Sequence, residues 1–130
     1  MKNDIEYILL QRKPGGYRKP DMASRLLSIL PAEDHSQWFQ QVWHLGGAST
    51  RDHPAPFPLA LAERLIRMFS FVGDTVFDPF LGTGTTSAAA SAWGRNSVGC
   101  EADSAYFEQS LARVGNAVAA SRQVAFDLTA

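Results

Sequence analysis

The sequence predicts an α/β fold with parallel strands and flanking helices. The apolar stretch Thr75–Phe77 has strand character and runs into a glycine turn, Gly82-Thr83-Gly84, which opens a helix of small residues from Thr85. A second short strand, Ser97–Cys100, follows the Gly94-Arg95-Asn96 turn and leads into a helix from about Ser104 to Ala119. Two strands joined through a helix pair in parallel, because a parallel connection needs a crossover long enough to return the chain to the same edge.

The remaining elements follow in chain order. Glu6-Tyr7-Ile8-Leu9-Leu10-Gln11 has the composition of a strand, ended by the Pro14-Gly15-Gly16 breaker. A short helix is expected around Met22 to Leu30, closed by Pro31, and a short strand over Phe39–His44. Asp52-His53-Pro54-Ala55-Pro56-Phe57-Pro58 must run extended, since each proline lacks an N–H and restricts the residue before it. Leu61, Leu65, Ile66 and Phe69 then recur at helical spacing, with Glu63, Arg64 and Arg67 on other faces. The helix from Ser104 has an expected apolar stripe of Phe107, Leu111, Val114 and Val118, and Val124-Ala125-Phe126 is a candidate edge strand.

At 130 residues the chain suits one domain: an N-terminal strand and basic loop region (1–51), a strap with a β-α-β-α unit (52–119) and a tail (120–130). Hydrophobic residues at 45% against 19% charged argue for a globular protein over a disordered one. The single cysteine, Cys100, excludes an intrachain disulfide, and the three scattered histidines give no zinc-ligand pattern. No apolar run approaches the ~20 residues that span a bilayer and the N-terminus has no signal core, so a cytoplasmic protein without a membrane partner is expected. Cys100 and Trp93 read as core residues.

In a parallel α/β unit, ligands bind beyond the carboxyl ends of the strands, here at Asp78 and Glu101. Glu101, about twenty residues past the glycine turn, is placed to accept hydrogen bonds from both hydroxyls of a ribose. The turn lacks a phosphate-loop Gly-Lys-Ser/Thr and the third glycine of a dinucleotide fingerprint, which favours a nucleoside with little or no phosphate. Plainer roles stand beside these: a ligand-free tight turn for Gly82 and Gly84, a loop acceptor for Asp78, a solvated strand end for Glu101 and a helix N-cap for Asp103.

These residues resemble the amino-methylating DNA methyltransferases that modify adenine N6 or cytosine N4. Asp78-Pro79-Phe80-Leu81-Gly82-Thr83-Gly84-Thr85-Thr86 is similar to their S-adenosylmethionine motif. Val98-Gly99-Cys100-Glu101-Ala102-Asp103 with Tyr106 resembles the ribose-binding motif after it, and His53-Pro54-Ala55-Pro56-Phe57-Pro58 the strap before both. The order fits the permuted beta subclass, in which strap and cofactor motifs follow the catalytic motif; Gly94-Arg95 before Val98-Gly99 also fits its ending, and Glu6–Leu10 with Arg12-Lys13-Pro14 resembles the strand and loop ahead of the strap.

The resemblance implies a partial Rossmann-like, S-adenosylmethionine-dependent methyltransferase fold. It implies that Glu101 takes the ribose hydroxyls, that Phe80, Gly82 and Gly84 form the wall beside the methionine moiety, and that Thr85 and Thr86 make polar contacts at the helix start. Asp78 belongs to the same motif, and His53, Pro54 and Phe57 would close the pocket from the strap. For the strap, a purely structural part is an equal alternative: Pro54, Pro56 and Pro58 fixing the approach to the helix, Phe57 in the core, and His53 as a hydrogen-bonded spacer.

The sequence departs from this family at one place that bears on chemistry. Its members carry an Asp/Asn/Ser-Pro-Pro-Tyr/Phe tetrad that accepts hydrogen bonds from the target amino group and stacks on the flipped base. No Pro-Pro occurs in this chain, so no catalytic residue is assigned. The expectation is therefore the C-terminal, cofactor-binding portion of a site-specific DNA methyltransferase, inactive alone, with the tetrad on a missing N-terminal part or a partner chain and a homodimer left open. The alternatives are a non-catalytic remnant or binding module that keeps the fold, and a methyltransferase acting on RNA or small molecules. Arg12, Lys13, Arg18 and Lys19, with Tyr17 among them, are candidate DNA contacts, against the plainer reading of a solvated loop.

Overall fold

A run of alanines is the reason the centre of this fold can be so tight. The computed structural model describes residues 5–49 and 56–121, and its central helix, α4 (Thr85–Ala92), packs against α3 (Leu59–Phe69), α5 (Ser104–Ser121) and both strands, β1 (Thr75–Asp78) and β2 (Asn96–Gly99). Ala89 and Ala90 of α4 are fully buried and meet Ala62 and Ile66 of α3, with Val76 of β1 closing the cluster. Methyl side chains let backbones approach closely, so the core holds few large residues and tolerates little added volume.

The strands form a two-stranded parallel sheet in the register Thr75↔Asn96, Val76↔Ser97, Phe77↔Val98 and Asp78↔Gly99. Alternation sorts its faces. Val76 is half-buried toward α4, whereas Phe77 and its register partner Val98 share the opposite face and are 61% and 55% exposed.

Pro58 starts α3 from an extended conformation (φ −69°, ψ 143°), as the proline-rich stretch before it predicts. Ser70 ends α3, and its carbonyl and hydroxyl accept hydrogen bonds from Arg95 Nη2 (2.7 Å) and Nε (3.1 Å), while Nη1 donates to the carbonyl of Trp93. Arg95 is only 6% exposed, and its guanidinium serves the C-terminal end of α3, where free carbonyls gather. Burial lowers its pKa from the ordinary arginine value, with Asp74 opposing the shift.

Before the strap lie two short helices, α1 (Met22–Leu26) and α2 (Ala32–Trp38). Asp21 caps α1 by accepting from the Ser24 N–H (2.9 Å), and Pro31 occupies the N-cap of α2. The segment is joined to the rest through the hydroxyl of Ser28, which accepts from the Val72 N–H (2.8 Å), and through the Arg67–Asp34 ion pair (3.0 Å). Tryptophans also hold it. The guanidinium of Arg67 lies 4.6 Å from the Trp38 ring and 3.9 Å from that of Trp93, and Arg64 lies 5.5 Å and 4.9 Å from Trp38 and Trp43.

Four expectations are corrected. Glu6–Gln11 is exposed and forms no strand, because no described neighbour pairs with it; Tyr7 is 88% exposed. Phe39–His44 is turn and irregular backbone, since α2 runs to Trp38 and the indole of Trp43 folds back to donate to the Trp38 carbonyl (2.8 Å). On α5 the position against α4 is Ser110, 2% exposed, whereas Phe107 and Leu111 face outward; α5 approaches the backbone at Gly84 too closely for a large side chain. Cys100 and Trp93 are exposed, not core. The candidate strand at 124–126 lies outside the described residues.

Candidate cofactor site

The site is assembled at the carboxyl ends of β1 and β2, where both chains turn away from the sheet. The Asp78 carboxylate accepts from the Phe80 N–H (3.0 Å), the loop-acceptor role, and the Leu81 N–H bonds across to the carbonyl of Cys100 (2.9 Å). The Leu81 side chain lies over Gly99, where an added Cβ would sit 2.8 Å from Leu81 Cδ1. Gly82 and Gly84 take positive φ of 54° and 83°, a conformation costly for other residues. Gly84 is fixed twice over, since a Cβ there would also sit 2.9 Å from Ser110 Cβ.

Glu101 locks the turn from β2. Its Oε2 accepts from the Gly82 N–H (2.7 Å) and its Oε1 from the Asp103 N–H (2.8 Å). The Asp103 amide first, then that of Gly82, hold the carboxyl below the usual glutamate range, because both bonds favour the charged form. Each oxygen keeps a lone pair free, so the same carboxylate can still receive hydroxyls. Asp103 itself caps α5, accepting from the amides of Ala105 (2.8 Å) and Tyr106 (3.1 Å).

Two depressions flank the turn. One of about 320 Å³ is lined by Pro79, Phe80, Cys100, Glu101 and Ala102, and the exposed Phe80 ring stands at it. The other, about 240 Å³, is lined by Ala48, Ser49, Pro56, Phe57, Pro58, Leu59, Thr83, Thr85 and Arg113, with Arg113 Nη1 donating to Thr85 Oγ1 (2.7 Å). The structure thus brings Phe57 and Thr85 to one depression and Phe80 and Glu101 to the other, while Gly82 and Gly84 form the backbone between them and Thr86 lies in the first turn of α4. His53 and Pro54 lie outside the described residues. The spacing of the two glycines marks the turn in the sequence; nothing there marks Ser110 or Arg113, whose parts arise only when α5 packs on α4.

The four candidate DNA contacts are not equivalent. Arg18 pairs with Asp74 and lies 5.8 Å from the Phe71 ring, and Arg12 stacks over Tyr17 at 4.4 Å. Lys13 and Lys19 are exposed. Among the described residues, no cluster of three or more His, Cys, Asp or Glu side chains could hold a metal, and no helix is long and apolar enough to cross a membrane.

A family model for DNA methylases (N6_N4_Mtase) matches residues 1–112. The chain belongs to this family. Relatives agree with the membership. The type II methyltransferase M.MjaI of Methanocaldococcus jannaschii is 47% identical over 107 residues, covering 77% of this chain and 35% of its own length. M.MthZI of Methanothermobacter thermautotrophicus is 38% identical over 133 residues, covering 94% and 38%. Among solved structures, a Thermus thermophilus protein described as a DNA modification methylase superposes with a TM-score of 0.78 at 52% identity, covering 91% of this chain and 47% of that one. Its complex with S-adenosylmethionine gives 0.71 at 50% identity, covering 82% and 41%. This member of the family therefore has the methyltransferase fold in part, and it spans little more than a third of the length of these curated relatives.

Proposed function

We propose that this chain is the S-adenosylmethionine-holding part of a DNA methyltransferase acting on the exocyclic amino group of adenine (N6) or cytosine (N4), with the Pro-Pro tetrad supplied by a further part of the protein or by a partner chain. The observation that carries the cofactor reading is the turn locked by Glu101, flanked by depressions on both sides and lined by Phe80, Thr83 and Thr85. These residues fit the group: a carboxylate for ribose hydroxyls, an aromatic ring beside it, and a backbone wall free of side chains at Gly82 and Gly84. When bound, the cofactor supplies a methyl group on a sulfonium centre. The chain's own residues hold and orient that group, and positioning and exclusion of water are the main contributions such a displacement needs.

Two features support a catalytic complement beyond this chain. No Pro-Pro is present to grip a flipped base. Among the described residues nothing covers the sheet face bearing the largely exposed Phe77 and Val98, and a parallel sheet is ordinarily buried on both faces. Arg12, Lys13 and Lys19 are proposed phosphate contacts, and Arg18, whose charge is already paired with Asp74, is a weaker one.

Calorimetric titration with S-adenosylmethionine tests the cofactor reading. The parent chain is expected to bind and Glu101→Ala to bind roughly tenfold more weakly, as loss of charge-assisted hydrogen bonds to the ribose implies; equal binding by both would overturn the assignment of Glu101. Transfer of labelled methyl to DNA is expected only when a chain carrying the tetrad is added. Transfer by the isolated chain would overturn the division of labour.

A further inference from the structure

We infer that Arg113 is the anchor for the carboxylate at the amino-acid end of the cofactor, so that the two depressions are the two ends of one site. This inference rests on the cofactor reading above and adds a residue that the sequence motifs do not contain. The turn Leu81-Gly82-Thr83-Gly84 divides the depressions, and their charges are opposite: the Glu101 carboxylate lines one and the Arg113 guanidinium the other. S-adenosylmethionine has the matching polarity, with ribose hydroxyls that donate to a carboxylate at one end and an α-carboxylate at the other. Laid across the turn with its ribose at Glu101, it carries the α-carboxylate toward Thr83, Thr85 and Arg113.

The local chemistry of Arg113 suits that end. It projects from α5 onto the first residue of α4, where Nη1 donates to the Thr85 hydroxyl (2.7 Å). A guanidinium has five N–H donors in a planar fork, and one neutral hydroxyl leaves a pair available for bidentate binding of a carboxylate. Among the described residues, the ion pairs are Arg18–Asp74 and Arg67–Asp34, so no carboxylate there neutralises Arg113. The Thr85 contact also fixes where the fork points, and Phe57 and Pro58 line the same depression as an apolar wall beside it.

The test compares S-adenosylmethionine with decarboxylated S-adenosylmethionine, which keeps the sulfonium, ammonium and nucleoside and lacks only the carboxylate. Titrated into the full chain, the parent is expected to prefer the carboxylated ligand by about tenfold to a hundredfold, the usual range for a charge-assisted bidentate pair. Arg113→Gln should weaken the carboxylated ligand to parity while leaving the decarboxylated one unchanged, and Arg113→Lys should restore part of the preference. Equal affinities in the parent, or an equal fall for both ligands in Arg113→Gln with an unchanged thermal midpoint, would overturn the assignment of Arg113 and leave the cofactor reading standing. Should Arg113→Gln not fold, the parent's preference and the Arg113→Lys intermediate still decide it. Failure of both ligands to bind the parent would overturn the cofactor reading and this inference with it.

Discussion

The residues from α3 to α5 and the residues before the strap are held by different forces. In the first region backbones touch through alanine and glycine: Ala89 and Ala90 are fully buried, and Gly84 meets Ser110 with no room for a methyl group. The second region is tied to the first through tryptophan rings against arginines, the ion pairs Arg67–Asp34 and Arg18–Asp74 and the Ser28 hydroxyl, and leaves Tyr7, Leu9 and Leu10 in solvent. Close packing is steep in its response to volume, whereas cation–π and exposed ionic contacts are shallow. The turn proposed to hold the cofactor sits in the steep region, which is what a site needing fixed geometry requires.

Substitutions can break this contrast. Gly84→Ala is expected to have the largest effect, about 3 kcal/mol, from a positive φ and an overpacked contact together; denaturant unfolding measures it. Arg95→Ala should follow at about 2 kcal/mol, because it leaves the Ser70 and Trp93 carbonyls short of a buried donor. Arg67→Gln should cost less, about 1.5 kcal/mol, since the Trp38 and Trp93 stacks and the partly shielded Asp34 pair each contribute modestly and the glutamine stem keeps part of the packing. An Arg67→Gln loss matching that of Gly84→Ala would erase the distinction between the regions.

The smallest effect is expected from pH at Glu101. Its folded pKa is depressed, so its contribution to the turn is complete above the unfolded value, about 4.3, and fades as pH falls through the lower folded value. Amide exchange at Gly82 and Asp103 should therefore rise at acid pH in the parent, and Glu101→Gln should remove that dependence. Exchange at Gly82 that is insensitive to pH after correction for intrinsic rates would mean the clamp is held by something other than this charge.

The same contrast explains what can be read in the sequence. β1, α4, β2 and the parallel pairing follow from a local pattern of apolar strand, glycine turn and small-residue helix, and the structure places them within one or two residues of expectation. The turn is legible too, because only glycine suits positive φ at positions 82 and 84. Glu6–Gln11 is not, since strand composition forms a strand only beside a partner, and none is present among the described residues. On α5, periodicity points to Phe107 and Leu111, but the closeness of Gly84 selects Ser110 for the contact, a choice made by tertiary distance and not by hydrophobicity. Arg113 is illegible for the same reason: its neighbour Thr85 is 28 residues away in sequence.

The arginine–tryptophan stacks have an optical consequence. All three tryptophans of the chain, Trp38, Trp43 and Trp93, lie around Arg64 and Arg67 at the seam between the two regions, and none lines either depression beside the turn. Intrinsic indole emission thus reports first on the joining of the N-terminal segment to α3, since no indole would touch a ligand at either depression, giving the molecule a built-in spectroscopic channel for seam opening.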